Sequence, residues 1–150
     1  MKKSIKIILI IVGIFVALFI LLLLTTQSYF DKLEESKYNI TEVDNVNISI
    51  SDISLTGATI TIKDTNVTPY IYGEWYKIEE EINGKWYELN TKVKDYGFNS
   101  KGYEVDENNE IKFIIDWNWL YGELPQGSYR IIKESHNKYI AIPFSIAITQ

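Results

Sequence analysis

The first apolar pattern in the chain is a run with no alternation. Ile7 to Leu24 reads IILIIVGIFVALFILLLL and carries no charged or polar side chain. As a helix it would extend roughly 27 Å at 1.5 Å per residue, close to the hydrocarbon thickness of a bilayer. A single span in lipid must satisfy its own backbone groups, which predicts a helix. Beyond it the pattern changes period. Val46, Ile48 and Ile50 alternate with Asn47, Ser49 and Ser51; Ala58, Ile60 and Ile62 alternate with Thr59, Thr61 and Lys63. Period two is the signature of half-buried strands. Asn83-Gly84 between two β-prone runs predicts a hairpin pairing 70–82 with 85–89, because both turn positions favour positive φ. Within 70–82 the parity is divided: Tyr76, Ile78 and Ile82 share one face and Trp75 takes the other, which a bulge near Gly73 or Trp75 would reconcile. A short strand is expected near 98–103. Ile111, Phe113, Ile115 and Trp117 alternate with Lys112, Ile114 and Asp116. A turn at 124–127 leads into Tyr129–Glu134, and His136-Asn-Lys138 turns into a last strand. There Ile140, Ile142, Phe144, Ile146 and Ile148 share a face, and Pro143 marks an edge or a bulge.

Seven or eight short strands, turns at regular intervals and no βαβ unit predict an all-β, antiparallel β-sandwich of two packed sheets behind one transmembrane helix. The expected organisation is a cytoplasmic basic end at 1–6, a transmembrane helix at 7–24, a stalk at 25–44 and the sandwich at 45–150. The stalk sequence DKLEESKYNITEV mixes charges with no clean apolar period; it would continue the helix for a turn or two and then extend.

Two outcomes are open for the N-terminal run. One is a cleaved signal peptide, with Lys2, Lys3 and Lys6 as its charged region; the other is an uncleaved anchor. The run exceeds the roughly 7–15 apolar residues of a signal peptide, which favours the anchor. The lysines ahead of it predict a cytoplasmic N-terminus and an extracellular remainder, with Tyr29 and Phe30 at the outer interface.

Charge narrows the function. The chain has 15 Lys and Arg against 20 Asp and Glu, a net −5. Setting aside the three N-terminal lysines leaves 12 against 20, a balance of −8. A domain so acidic repels phosphate backbones, so nucleic acid is not an expected partner. The chain has no Cys and one His. That removes disulfides, thiol nucleophiles, Cys-ligated metals and multi-His sites. No catalytic, cofactor or metal residues are assigned.

The stretch DWNWLYGELPQGSYRI, 116–131, crowds two Trp and two Tyr around turn residues. In an immunoglobulin-like sandwich a Trp on the third strand fills the core, and a Tyr at the start of the sixth bonds back to nearby backbone. Trp75 and Tyr129 occupy those places in this sequence, with Ile131 where antibody domains have a Cys. The runs LTGATITIKD, YGEWYKIEEEINGKWYEL, IDWNWLYGELPQGSYRIIKE and YIAIPFSI, in that order, resemble a bacterial immunoglobulin-like domain family found in exported or membrane-anchored proteins. The resemblance covers about 45–149. It implies a β-sandwich in an extracytoplasmic setting, with no catalytic residues and no ligand to carry over.

Other chemistry is weighed against plainer roles. Trp117, Trp119 and Tyr121 are expected to close the sandwich end; the sharper alternative is a sugar-stacking platform, with Trp119 as its exposed member. Glu79-Glu80-Glu81 would be a solvated outer face rather than an acid–base pair, since strand neighbours alternate faces. Asp106 to Glu110 offers oxygen ligands for calcium but lacks the spaced loop pattern. Ser135-His136 is no triad, and His136 belongs to a turn. The sequons at Asn39, Asn47 and Asn66 are incidental in a bacterial protein.

The leading expectation is a membrane-tethered, non-catalytic binding or structural module of the bacterial envelope. It contacts the lipid bilayer through its helix and a protein partner through loops or edge strands, 140–148 among them. The alternatives are a regulatory or sensor subunit whose helix pairs with a membrane partner, and a carbohydrate-binding or glycan-active protein.

Overall fold

The computed structural model describes residues 2–30 and 33–147, which form one helix and eight strands. They divide into two compact units, 1–33 and 34–150. The first contains α1, Lys2–Phe30. Its span Lys6–Thr25 contains an 18-residue window with a mean hydropathy of 3.6, none of it buried. It is long and apolar enough to cross a membrane. The helix outruns the apolar run at its C-terminal end, as the mixed sequence after Leu24 allows. The side chains of Tyr29 and Phe30, expected at the outer interface, lie outside those described.

The second unit is a sandwich of two antiparallel sheets. The elements are β1 (Glu34–Glu35), β2 (Val46–Ser51), β3 (Gly57–Asp64), β4 (Tyr76–Ile82), β5 (Lys85–Glu88), β6 (Glu110–Asp116), β7 (Gly127–Ser135) and β8 (Lys138–Ile146). One sheet has the order β1-β5-β4-β7-β8, the other β2-β3-β6. Tight turns set the registers. Asn83 and Gly84 take φ of 52° and 77°, and His136 and Asn137 take 50° and 59°. Two consecutive positive-φ residues match the twist of the strands they join. No strand forms near 98–103, where Tyr103 makes only an isolated bridge to Tyr72. The segment is held by ring packing instead: Phe98 meets Tyr76 at 5.1 Å between centroids. Ile140, Ile142, Phe144 and Ile146 face inward together, and Ile148 lies outside the described residues. Pro143 sits on β8, an edge strand, as its missing N–H requires.

The core contains Ile60, Ile62, Tyr72, Ile78, Trp117, Leu120, Tyr129 and Ile131, each 0–1% exposed. Tyr129 is the corner tyrosine: its hydroxyl donates to the Pro125 carbonyl at 2.9 Å. Tyr129→Phe should cost about 1 kcal/mol, because it leaves a carbonyl at the turn without its donor; urea denaturation of the full chain measures it. The core tryptophan, however, is Trp117 and not Trp75. Trp117 is fully buried, donates its ring N–H to the Leu55 carbonyl at 2.9 Å and packs on Phe144. Trp75 precedes Tyr76 by one residue and so takes the opposite face, where it packs against Tyr38 and Tyr139. The divided parity thus resolves with Trp75 outside, and the core-facing positions of β4 are Tyr76 and Ile78.

The segment expected to be a stalk separates into two parts. Up to Phe30 it continues the helix. From Glu34 it is part of the sandwich and crosses the outer face of the larger sheet as a strap. Glu34 and Glu35 pair with β5 at one edge. Ile40 bridges Tyr139 of β8 at the other, and the Thr41 N–H donates to the Tyr139 carbonyl at 2.9 Å. Between these edges Ser36, Lys37 and Tyr38 lie over Arg130, Glu88 and Trp75. The strap overturns the solvated assignment of Glu79. Glu79 does face outward, yet it is 0% exposed, and Arg130 Nε and Nη2 reach its Oε2 at 2.7 and 2.6 Å. Arg130 in turn lies over the Trp86 ring at 4.4 Å and donates to Ser36.

Candidate binding site at the β6 edge

β6 is where the sandwich leaves backbone open. The alternation of β6 makes every second residue bond to β3. The Asp64 N–H donates to the Asn109 carbonyl and the Trp117 N–H to the Thr56 carbonyl, so the odd-numbered residues face β3. The main-chain groups of Lys112, Ile114 and Asp116 therefore point away from the sheet. In this set the Asp116 carbonyl accepts from the Tyr76 hydroxyl at 3.1 Å. An immunoglobulin constant-type sandwich would place a further strand at this edge. Here the chain between β5 and β6 forms an irregular loop.

The loop and the edge enclose an open groove of about 520 Å³. Its floor and far wall are Tyr76, Phe98, Tyr103, Phe113, Ile115 and Trp119, and Glu74, Asn99 and Lys112 add polar groups. Sequence explains the wall: the polar stretch 92–109 carries isolated aromatics that stake it to the sandwich. Tyr96 and Phe98 meet Trp119 edge-on at 6.1 and 5.9 Å. The Tyr103 hydroxyl donates to Glu74. That bond holds the Glu74 carboxyl below its ordinary range and raises Tyr103. Burial raises Tyr76.

The residues singled out in the sequence fall in several places. Trp117 and Tyr121 are buried, and the Tyr121 hydroxyl accepts the Ile78 N–H at 3.3 Å. Trp119 is 43% exposed at the groove rim. A sugar platform needs ring faces turned to solvent side by side, whereas Trp119 is engaged edge-on by two rings that pin the loop. The Asp106 carboxylate is used within its own loop, accepting the N–H groups of Asn108 and Glu110 at 2.9 Å each. Those bonds hold it below its ordinary value. Among the described residues no cluster of three or more metal-ligating side chains occurs. His136 caps the β7–β8 hairpin, its ring 5.3 Å from Tyr70.

The 140–148 edge is a poorer acceptor than expected. The strap takes the Tyr139 carbonyl, and Pro143 removes a donor midway. Proline and covering segments are the devices by which natural sheets blunt an edge. Along Lys112–Asp116 β6 has no proline, the neighbouring loop leaves an open groove, and the main-chain group taken among the described residues is the Asp116 carbonyl, by the Tyr76 hydroxyl. Instead Ile114, on the outer face, is 88% exposed between Lys112 and Asp116. The sequence carried a signal for this: Ile114 is the apolar exception in the polar parity of its strand.

Residues 42–145 match the family model described as a bacterial Ig-like domain. No curated protein and no solved structure matches the chain.

Proposed function

The chain belongs to the bacterial Ig-like domain family, and from that we propose that it is a membrane-tethered, extracytoplasmic, non-catalytic binding module. The observation that carries the reading is the helix: the span Lys6–Thr25 contains an 18-residue window of mean hydropathy 3.6 with no buried position. Water would tolerate such a surface poorly, and a bilayer accepts it. The three lysines before it favour a cytoplasmic N-terminus and leave the sandwich outside. The binding surface is the β6 edge with its groove. Main-chain groups at an open edge supply affinity, and adjoining pockets for alternate side chains supply selectivity.

The cysteine-free chain makes the test direct. Single substitutions S4C and S100C in the full chain are exposed to a membrane-impermeant maleimide on intact cells. S100C should react at once and S4C only after permeabilisation, and alkaline carbonate should leave the protein in the membrane fraction. Labelling of S4C on intact cells, or release by carbonate, would overturn the reading.

A further inference from the structure

The β6 edge is self-complementary, and we infer that its partner is the β6 edge of a second copy of this chain. The inference rests on the reading of that edge as the binding surface and names its occupant. In an antiparallel pair, residues opposite one another have positions of constant sum. Placing Ile114 opposite Ile114 of the second copy puts Lys112 opposite Asp116 and Asp116 opposite Lys112. All three have outward main-chain groups, so all three positions fall on hydrogen-bonded pairs of the new ladder, the Asp116 carbonyl being shared between the Tyr76 hydroxyl and the Lys112 N–H of the second copy. Opposite charges directly across a ladder stabilise it, and like charges destabilise it.

The side chains agree with the backbone. Lys112, Ile114 and Asp116 are exposed and share the outer face of β2-β3-β6. Their neighbours on β3 are Thr61 opposite Lys112 and Thr59 opposite Ile114, so Ile114 is a lone aliphatic group on a polar face. Its exposure of 88% is anomalous for the middle of an edge strand. Pairing two copies would set the two Ile114 side chains against one another at the two-fold axis and join the small sheets into one of six strands. An isologous contact closes at two copies, which prevents unlimited edge-to-edge growth. The ladder is short, so the contact is weak between free molecules. Confinement of both copies to one membrane supplies the effective concentration it needs.

The test uses the full chain in liposomes with single cysteines. At I114C the two Cα atoms would stand about 5.5 Å apart, within disulfide reach; at T59C, one strand further in on each copy, about 15 Å. I114C should give an oxidised dimer and T59C should not. Adding K112D should lower the I114C dimer roughly tenfold, since it sets like charges opposite at two places. K112D combined with D116K should restore it. Near-UV circular dichroism confirms folding of each variant, because Asp116 also accepts the Asn118 N–H. I114K changes a solvent-facing side chain and provides a second route: energy transfer between copies labelled at S100C should fall to background. Equal dimer at I114C and T59C, no dimer at I114C, failure of the folded double reversal to restore it, or unchanged energy transfer in I114K would overturn the inference. Labelling of I114C by an impermeant reagent on intact cells tests the membrane-tethered reading separately. I114C in native membranes that crosslinks only to a different protein would overturn the second-copy occupant and leave the edge as the binding surface.

Discussion

Arg130→Ala should destabilise the sandwich by about 3–5 kcal/mol, the cost of leaving one member of a buried ion pair without its partner. Glu79 is fully buried and Arg130 only 14% exposed at the side chain, so water does not screen their attraction as it does at a surface. Both contacts from Arg130 go to Glu79 Oε2, and Oε1 has no partner among the described residues. Removing the guanidinium therefore strands the whole carboxylate beneath the strap. It also removes the bond to Ser36 and the stacking on Trp86 that fasten the strap to β7. Two measurements follow. Denaturation followed by tryptophan fluorescence gives the loss, since all four Trp lie in the sandwich. Hydrogen exchange at Thr41, whose N–H bonds to β8, should accelerate more than exchange in β3. Replacing the pair together, E79L with R130M, should recover most of the stability, because two apolar groups of similar size avoid the desolvation cost. A loss below about 1 kcal/mol in R130A, the range of an exposed pair, would show that the strap does not seal this site.

Stability should rise, unusually, as pH is raised from about 8 toward 10. Lys133 points inward from β7 and is fully buried. Its ammonium donates to the Gly73 and Trp75 carbonyls at 2.5 and 3.0 Å and lies 4.3 Å from the centre of the Phe113 ring. Burial disfavours the charge and pulls its pKa down from 10.5 to about 8, with Glu74 opposing only in part. The unfolded chain then binds more protons than the folded one between those two values. Across that window stability increases with pH, by about 3 kcal/mol at most, at about 1.4 kcal/mol per pH unit. Below about 8 both states carry the proton and the penalty is constant. Above 10 the sign reverses. Burial raises Tyr38, Tyr72, Tyr76 and Tyr121 above their ordinary value of 10, so the unfolded state loses those protons first. The profile should therefore peak near pH 10. Denaturation midpoints of the full chain from pH 7 to 11, with Lys133→Met alongside, test this. The variant should lack the rise between 8 and 10; a rise of equal size in both would assign the effect to another group.

What could be read before folding was local. An apolar run of bilayer length needs no tertiary context. Alternation predicted β2, β3, β6 and β8, because each has one face on the core and the pleat converts period two into burial. Asn83-Gly84 and His136-Asn137 were legible as turns because positive φ is a property of the residues themselves. Tyr129 was legible because its hydroxyl reaches a carbonyl only four residues away.

Burial set by distant chain was not local, and there the sequence alone fell short. Trp75 and Trp117 are both aromatic residues in strand-like surroundings. Which fills the core depended on the parity of β4 against a sheet that pairs it with β7, 49 to 57 positions on. Glu79 carries the pattern of a solvated strand residue, and alternation places it outward correctly. It is buried because 34–41, a stretch with no apolar period, folds across that face. The β6 edge became a candidate site through the order β2-β3-β6, which leaves one side of that strand without a neighbour. The sequence determined the long apolar helix, the strands, their turns and the corner tyrosine, since each depends on residues within a few positions of one another. The tertiary structure alone decided which outward faces stay wet, which tryptophan is core and which edge is open, since coverage comes from chain that is remote in sequence.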